Sequence, residues 1–129
     1  MPMRALIALL LISGCMRDET VSAYGAADVT WRLQELNGTA VSAPMTLEFL
    51  EGGALRGDAP CNQFNGLNTA PYPWFEVTQL ILTERACPNL GAEVEFLSAL
   101  QSMQQSEIAG ATLILRHEDG REMVFSAGD

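Results

Sequence analysis

Few side chains in this chain carry reactive chemistry, and their spacing narrows what they can do. Cysteines stand at 15, 61 and 87, and the single histidine is His117. A thiolate is a nucleophile, a metal ligand or half of a disulfide, according to its surroundings. A structural zinc site needs four donors, and a Cys–His nucleophile needs a free thiol beside the imidazole. His117 stands alone beside Asp119-Gly120, a hairpin signal, so no metal site, cofactor or catalytic residue is expected from it. The chain has no Gly-x-Ser-x-Gly elbow and no phosphate-cradling loop. Glu93 and Glu95 are two apart, on different sides of a helix, and read as solvated charges near a helix start. Asp58 with Glu84 would serve a carboxylate hydrolase only if the two converged in one cleft. The densest polar group is Asp58, Asn62, Gln63 and Asn65 around Cys61. Such residues form either a recognition loop or turn chemistry in which side chains bond their own backbone.

Which fate the cysteines meet depends on the compartment, and the first residues address that. Arg4 precedes an unbroken apolar run, Ala5 to Ile12, followed by Ser13-Gly14 and Cys15. This is the layout of a secretory signal peptide over residues 1–14. Eight apolar residues rise only about 12 Å as a helix, against a bilayer core of about 30 Å. Ile12-Ser13-Gly14-Cys15 resembles the lipobox of bacterial lipoproteins. The resemblance implies cleavage before Cys15 and three acyl chains on it, enough for firm anchoring where one chain is marginal. Met16, in place of an aspartate, leans toward the outer membrane, with the domain facing the periplasm. The mature chain would then have 115 residues and a net charge near −10, and there is no lysine. Such a surface repels phosphate backbones, so no nucleic-acid partner is expected, and the membrane contact should come from lipid rather than charge. With Cys15 lipidated, Cys61 and Cys87 form a pair in an oxidising compartment. They are expected to bridge, the alternative being two buried free thiols.

Residues 15–28, poor in large apolar groups, read as a flexible tether. From Val29 the pattern is strand-like. Val29, Trp31, Leu33 and Glu35 alternate with Thr30, Arg32, Gln34 and Leu36, Asn37-Gly38 signals a tight turn, and Met45, Leu47 and Phe49 alternate again. Glu51-Gly52-Gly53 turns into Ala54–Gly57, the polar segment from Cys61 to Gly66 reads as a loop, and strands are expected over 67–69, 74–77 and 80–83. Tyr72, Trp74 and Phe75 are either an exposed aromatic patch or sheet core. Leu90, Val94, Leu97, Leu100 and Met103 recur at three and four, predicting an amphipathic helix from Leu90 to Gln105, capped by Asn89. Thr112–Arg116 and Glu122–Phe125 form a closing hairpin.

Together, Trp31-x-Leu33, Gly57 ahead of Cys61-Asn62, Gly66, Thr83-x-x-Ala86-Cys87-Pro88, Glu95-x-x-x-Ala99-Leu100, and Leu113-x-Leu115 with Asp119-Gly120 and Phe125 resemble the META/HslJ-like domain. The resemblance covers about residues 29–126. It implies an α+β fold: a curled antiparallel sheet, open or cracked-barrel-like, with one helix packed across it in a single domain. It implies an envelope location and no agreed catalytic residues. The expected function is a lipid-anchored, non-enzymatic binding or stress-response module, its partner an envelope protein or a small apolar ligand. The alternative is a pilotin-like chaperone for an acyl chain or secretion-system partner, which predicts a cavity lined by Leu47, Phe49, Leu97 and Leu113.

Overall fold

A computed structural model describes residues 18–85, 87, 88 and 90–128. Among them are nine strands, β1 (Trp31–Leu36), β2 (Thr39–Ala40), β3 (Thr46–Phe49), β4 (Ala54–Asp58), β5 (Gln63–Leu67), β6 (Thr78–Leu82), β7 (Gln105–Ala109), β8 (Thr112–Arg116) and β9 (Glu122–Ala127), one α-helix, α1 (Leu90–Ser102), and two short 3-10 turns, Val21–Tyr24 and Glu51–Gly53. The strands form one antiparallel sheet in the order β6-β5-β4-β3-β1-β9-β8-β7, with β2 folded back on β1. It curls around one core in which Trp31, Phe64, Phe96, Phe125 and Leu47 are almost wholly buried.

Local chemistry explains the strand joints. Asn37 and Gly38 both take positive φ, 51° and 80°, as a two-residue hairpin requires. Asn37 also ties this corner to β9: its N–H donates to Glu122 O (2.8 Å), and its Oδ1 accepts from Glu122 N (2.9 Å). A register shift between Leu33 and Glu35 breaks the alternation expected along β1, so Leu36 faces the core and Glu35 the solvent. Gly57, on β4 opposite Phe64, is a close approach of backbones. A Cβ there would overlap the Thr46 carbonyl oxygen and stand 2.5 Å from Phe64 Cζ. Gly57→Ala is therefore expected to lower stability by about 1–3 kcal/mol. The measurement is the urea midpoint; an unmoved midpoint would show that β3 and β4 part easily.

Several expectations are corrected. Residues 19–28 are not a tether. Val21 and Ala26 are fully buried, Trp31 Nε1 donates to Ala26 O (3.0 Å), and Tyr72 N donates to Glu19 O (2.7 Å). The segment's small side chains let its backbone lie close against the domain, which a search for large apolar groups overlooks. Gln63–Leu67 is strand, not loop: Phe64 and Gly66 point inward between polar Gln63 and Asn65. The expected strand over 74–77 makes only the isolated bridge between Trp74 and Gln105. Phe75 and Val77 do enter the core, but Asn68 Oδ1 takes the Glu76 N–H (3.1 Å) that a neighbouring strand would have taken. Helix α1 ends at Ser102 rather than Gln105, and the residues after it form β7, unforeseen because Met103 prolongs the helical period.

The face of α1 is also turned from expectation. Leu90 and Val94 are 44% and 61% exposed, and the buried set is Glu93, Phe96, Leu97 and Leu100, at i, i+3, i+4 and i+7. Phe96 offers the largest apolar area on the helix, and its ring meets Phe64 at a centroid distance of 5.8 Å. The proposed cap Asn89 lies outside the described residues.

Candidate functional site

The junction of β5, β6 and α1 is organised by one carboxylate. Glu93, expected to be solvated, is 2% exposed. Its Oε1 accepts from the backbone N–H groups of Cys61 (3.1 Å) and Asn62 (2.7 Å), and its Oε2 accepts from Asn62 Nδ2 (2.6 Å). Charge-assisted bonds of this kind are about twice as strong as neutral ones and offset the removal of the carboxylate from water. Asn62 in turn spans the junction. Its Oδ1 accepts from Thr83 Oγ1 (3.0 Å) and Arg85 N (2.7 Å), which fixes the orientation of the amide and leaves Nδ2 facing Glu93 and Arg85 O. Cys61 and Cys87 are joined by a disulfide, with Cα atoms 5.8 Å apart. The bridge and the hydrogen bonds together hold the β6–α1 connection against the start of β5.

The four residues of the anticipated recognition loop are therefore divided. Asn62 is buried inside this junction and is structural. Asp58 ends β4 and pairs with Gln63 of β5, and Asn65 lies two residues further along. These three line a cleft of about 490 Å³ on the outer side of the sheet, with Glu48, Arg56 and Ile81. Arg56 and Glu48 neutralise each other there (3.2 Å), which leaves Asp58 as the cleft's net charge beside the amides of Gln63 and Asn65. Asp58 and Glu84 line different openings and do not form the carboxylate pair of a hydrolase.

The turn of α1 opens a second surface that the sequence pattern did not reveal. Between α1 and β6 runs an open groove of about 790 Å³, walled by Leu80, Leu82, Leu90, Val94 and Leu97 and rimmed by Glu84, Arg85 and Gln101. Strand β6 ends the sheet, and Ile81 and Leu82 on it are 66% and 40% exposed. The signal for this groove was the width of the apolar arc on α1: residues 90 and 94 fall outside the arc that Phe96 and Leu100 bury.

The remaining candidates have local roles. His117 closes the β8–β9 hairpin, its Nδ1 accepting from Asp119 N (3.1 Å). The backbone N–H of Arg121, and then its guanidinium, hold the Asp119 carboxyl below the usual carboxylate range. Phe75 is core, Tyr72 is half-buried and Trp74 is exposed. Among the described residues no group of three or more His, Cys, Asp or Glu could hold a metal ion, and no helix is long and apolar enough to cross a membrane. Cys15 lies outside the described residues.

Solved structures share this architecture. A protein from Burkholderia xenovorans is 20% identical, with 84% of this chain and 87% of that one aligned at a TM-score of 0.66. A DUF4847 family protein from Bacteroides vulgatus is 15% identical, with 84% and 97% aligned at 0.67. At these identities the likeness is one of fold. A search of curated proteins finds no match. The META domain model matches residues 25–129, which take in the end of the N-terminal segment from Gly25, the Cys61–Cys87 bridge, α1 and the closing hairpin. The chain belongs to the META domain family.

Proposed function

We propose that the protein is a non-enzymatic binding module of the cell envelope, held to the outer membrane through lipid on Cys15. In this reading it takes an apolar ligand, or an apolar segment of an envelope protein, in the groove between α1 and β6. The observation that carries it is the make-up of that groove. Leu82, Leu90 and Val94 keep large apolar side chains in water around a concave surface of ligand-binding size. The test is native mass spectrometry of protein gently extracted from membranes, wild type against Val94→Asp. Val94 is exposed, so the variant should fold, and it should lose the co-extracted adduct. An adduct retained equally by the variant would move the binding site elsewhere.

The pilotin-like alternative draws support from the same groove, with one change of place. Leu47, Phe49 and Leu113, expected around an internal cavity, are at most 5% exposed within the packed core. An acyl chain would therefore lie along the surface beside Leu97, which also lines the groove. The adduct mass separates the readings: a fatty acid favours the chaperone, a polypeptide the interaction module.

A further inference from the structure

We propose that Tyr24, Tyr72 and Trp74 form the face on which the domain rests against the lipid bilayer. The proposal depends on the lipidation of Cys15 and adds how the anchored domain is oriented. Tyr24 and Trp74 are 55% and 54% exposed, unusual for such large aromatic groups. Tyr24 stacks on Tyr72, with ring centroids 4.6 Å apart and planes within 13°. Tyr72 Oη lies 3.5 Å from Ile108 N and the Trp74 backbone bridges to Gln105, so both residues lie along β7.

The chain itself fixes where this face is relative to the anchor. Tyr72 N donates to Glu19 O (2.7 Å). Glu19 follows Cys15 by four residues, a span of at most about 14 Å even when fully extended. Acyl chains on Cys15 would hold that residue at the bilayer surface, so the Tyr72 backbone lies within about 20 Å of it, close enough for the domain to rest this face on the headgroup layer. Tyr and Trp partition to that layer because one end of each ring is apolar and the other bonds water. Charge adds little to this contact: between the anchor and the face the sequence sets Arg17 against Asp18 and Glu19, a net of −1 that gives no pull toward anionic headgroups. The groove between α1 and β6 shares none of its lining residues with this face, so a docked domain can still be loaded.

The two tryptophans make the test specific. Trp31 is 1% exposed and donates to Ala26 O, so only Trp74 can respond to lipid. Lipidated full-length protein is reconstituted into phosphatidylcholine vesicles, with and without lipid brominated near the headgroup, and tryptophan emission is recorded. A blue shift and quenching, both lost in Trp74→Phe, are expected. Protein whose mass shows the acyl chains and which sediments with vesicles, yet whose Trp74 emission is neither shifted nor quenched, would overturn the docking face and leave the anchor standing. Protein that carries no acyl chains and stays in the supernatant would overturn the anchor and the docking face together.

Discussion

Glu93→Ala is expected to destabilise the domain by about 3–5 kcal/mol, through the buried donors that it leaves without an acceptor. Truncation strips the acceptor from three N–H groups at once, and an unsatisfied buried donor costs about 1–3 kcal/mol. Among the described residues no ion pair involves Glu93, so the loss is one of hydrogen bonding rather than of a partner cation. Glu93→Gln separates charge from shape. Its remaining oxygen can keep the Cys61 and Asn62 backbone bonds, but its NH2 then faces Asn62 Nδ2, donor against donor. Asn62 cannot relieve this by flipping, because its Oδ1 is held by Thr83 Oγ1 and Arg85 N. A loss of about 1–3 kcal/mol is expected for the glutamine variant. Glu95→Ala is the control: it is exposed near the same helix start and should change stability by no more than about 0.5 kcal/mol. Urea midpoints measure all three. Combining Glu93→Ala with Asn62→Ala should cost much less than the sum of the two, since they empty one network. A Glu93→Ala midpoint no lower than that of Glu95→Ala would refute the buried network.

Glu93 also shows where sequence reasoning reaches its limit. Its neighbours in sequence argue for solvent, and its partners lie 31 and 32 residues earlier in the chain. The signal was nonetheless present, because Glu93, Leu97 and Leu100 share one helical face, so a helix packed through those leucines carries the carboxylate inward. Features set by local chemistry were legible: the Asn37-Gly38 hairpin, the Asp119-Gly120 hairpin, the alternation of Leu113, Leu115, Met123 and Phe125, and the pairing of the two cysteines. What was not legible depends on contacts made at long range. Strand β7 is polar but for Ile108 and Ala109, and it exists because β8 bonds one side of it and residues 73–75 the other. Residues 19–28 look like linker by composition, yet the segment is held to the domain through Trp31 and Tyr72 and sends Val21 and Ala26 into the core. The groove follows from the same cause as the burial of Glu93: turning α1 to bury Phe96 brings the carboxylate inward and sends Leu90 and Val94 outward.

The second large effect belongs to the disulfide. Replacing both Cys61 and Cys87 with alanine is expected to lower stability by about 3–4 kcal/mol, the loop-closure value for cysteines 26 positions apart. Because the released unfolded chain is more expanded, the urea slope should also rise. The bridge and the Glu93–Asn62 network close the same gap, and this makes their combination informative. If the disulfide acts through the unfolded chain alone, its removal and Glu93→Ala should add, since one changes the unfolded ensemble and the other the native contacts. If instead it holds Cys61 N in place for Glu93 Oε1, the combined loss should fall short of the sum, because the first change has already loosened what the second removes. The groove offers an independent reading of the same question. Its wall includes Glu84 and Arg85, in the connection that the bridge restrains, so in the second case reduction should weaken adduct retention while the domain stays folded. A midpoint unmoved by reductant, with thiol titration showing both cysteines free, would show that the bridge contributes nothing to stability. The hydrogen bonds of Asn62 and Glu93 would then hold the connection by themselves.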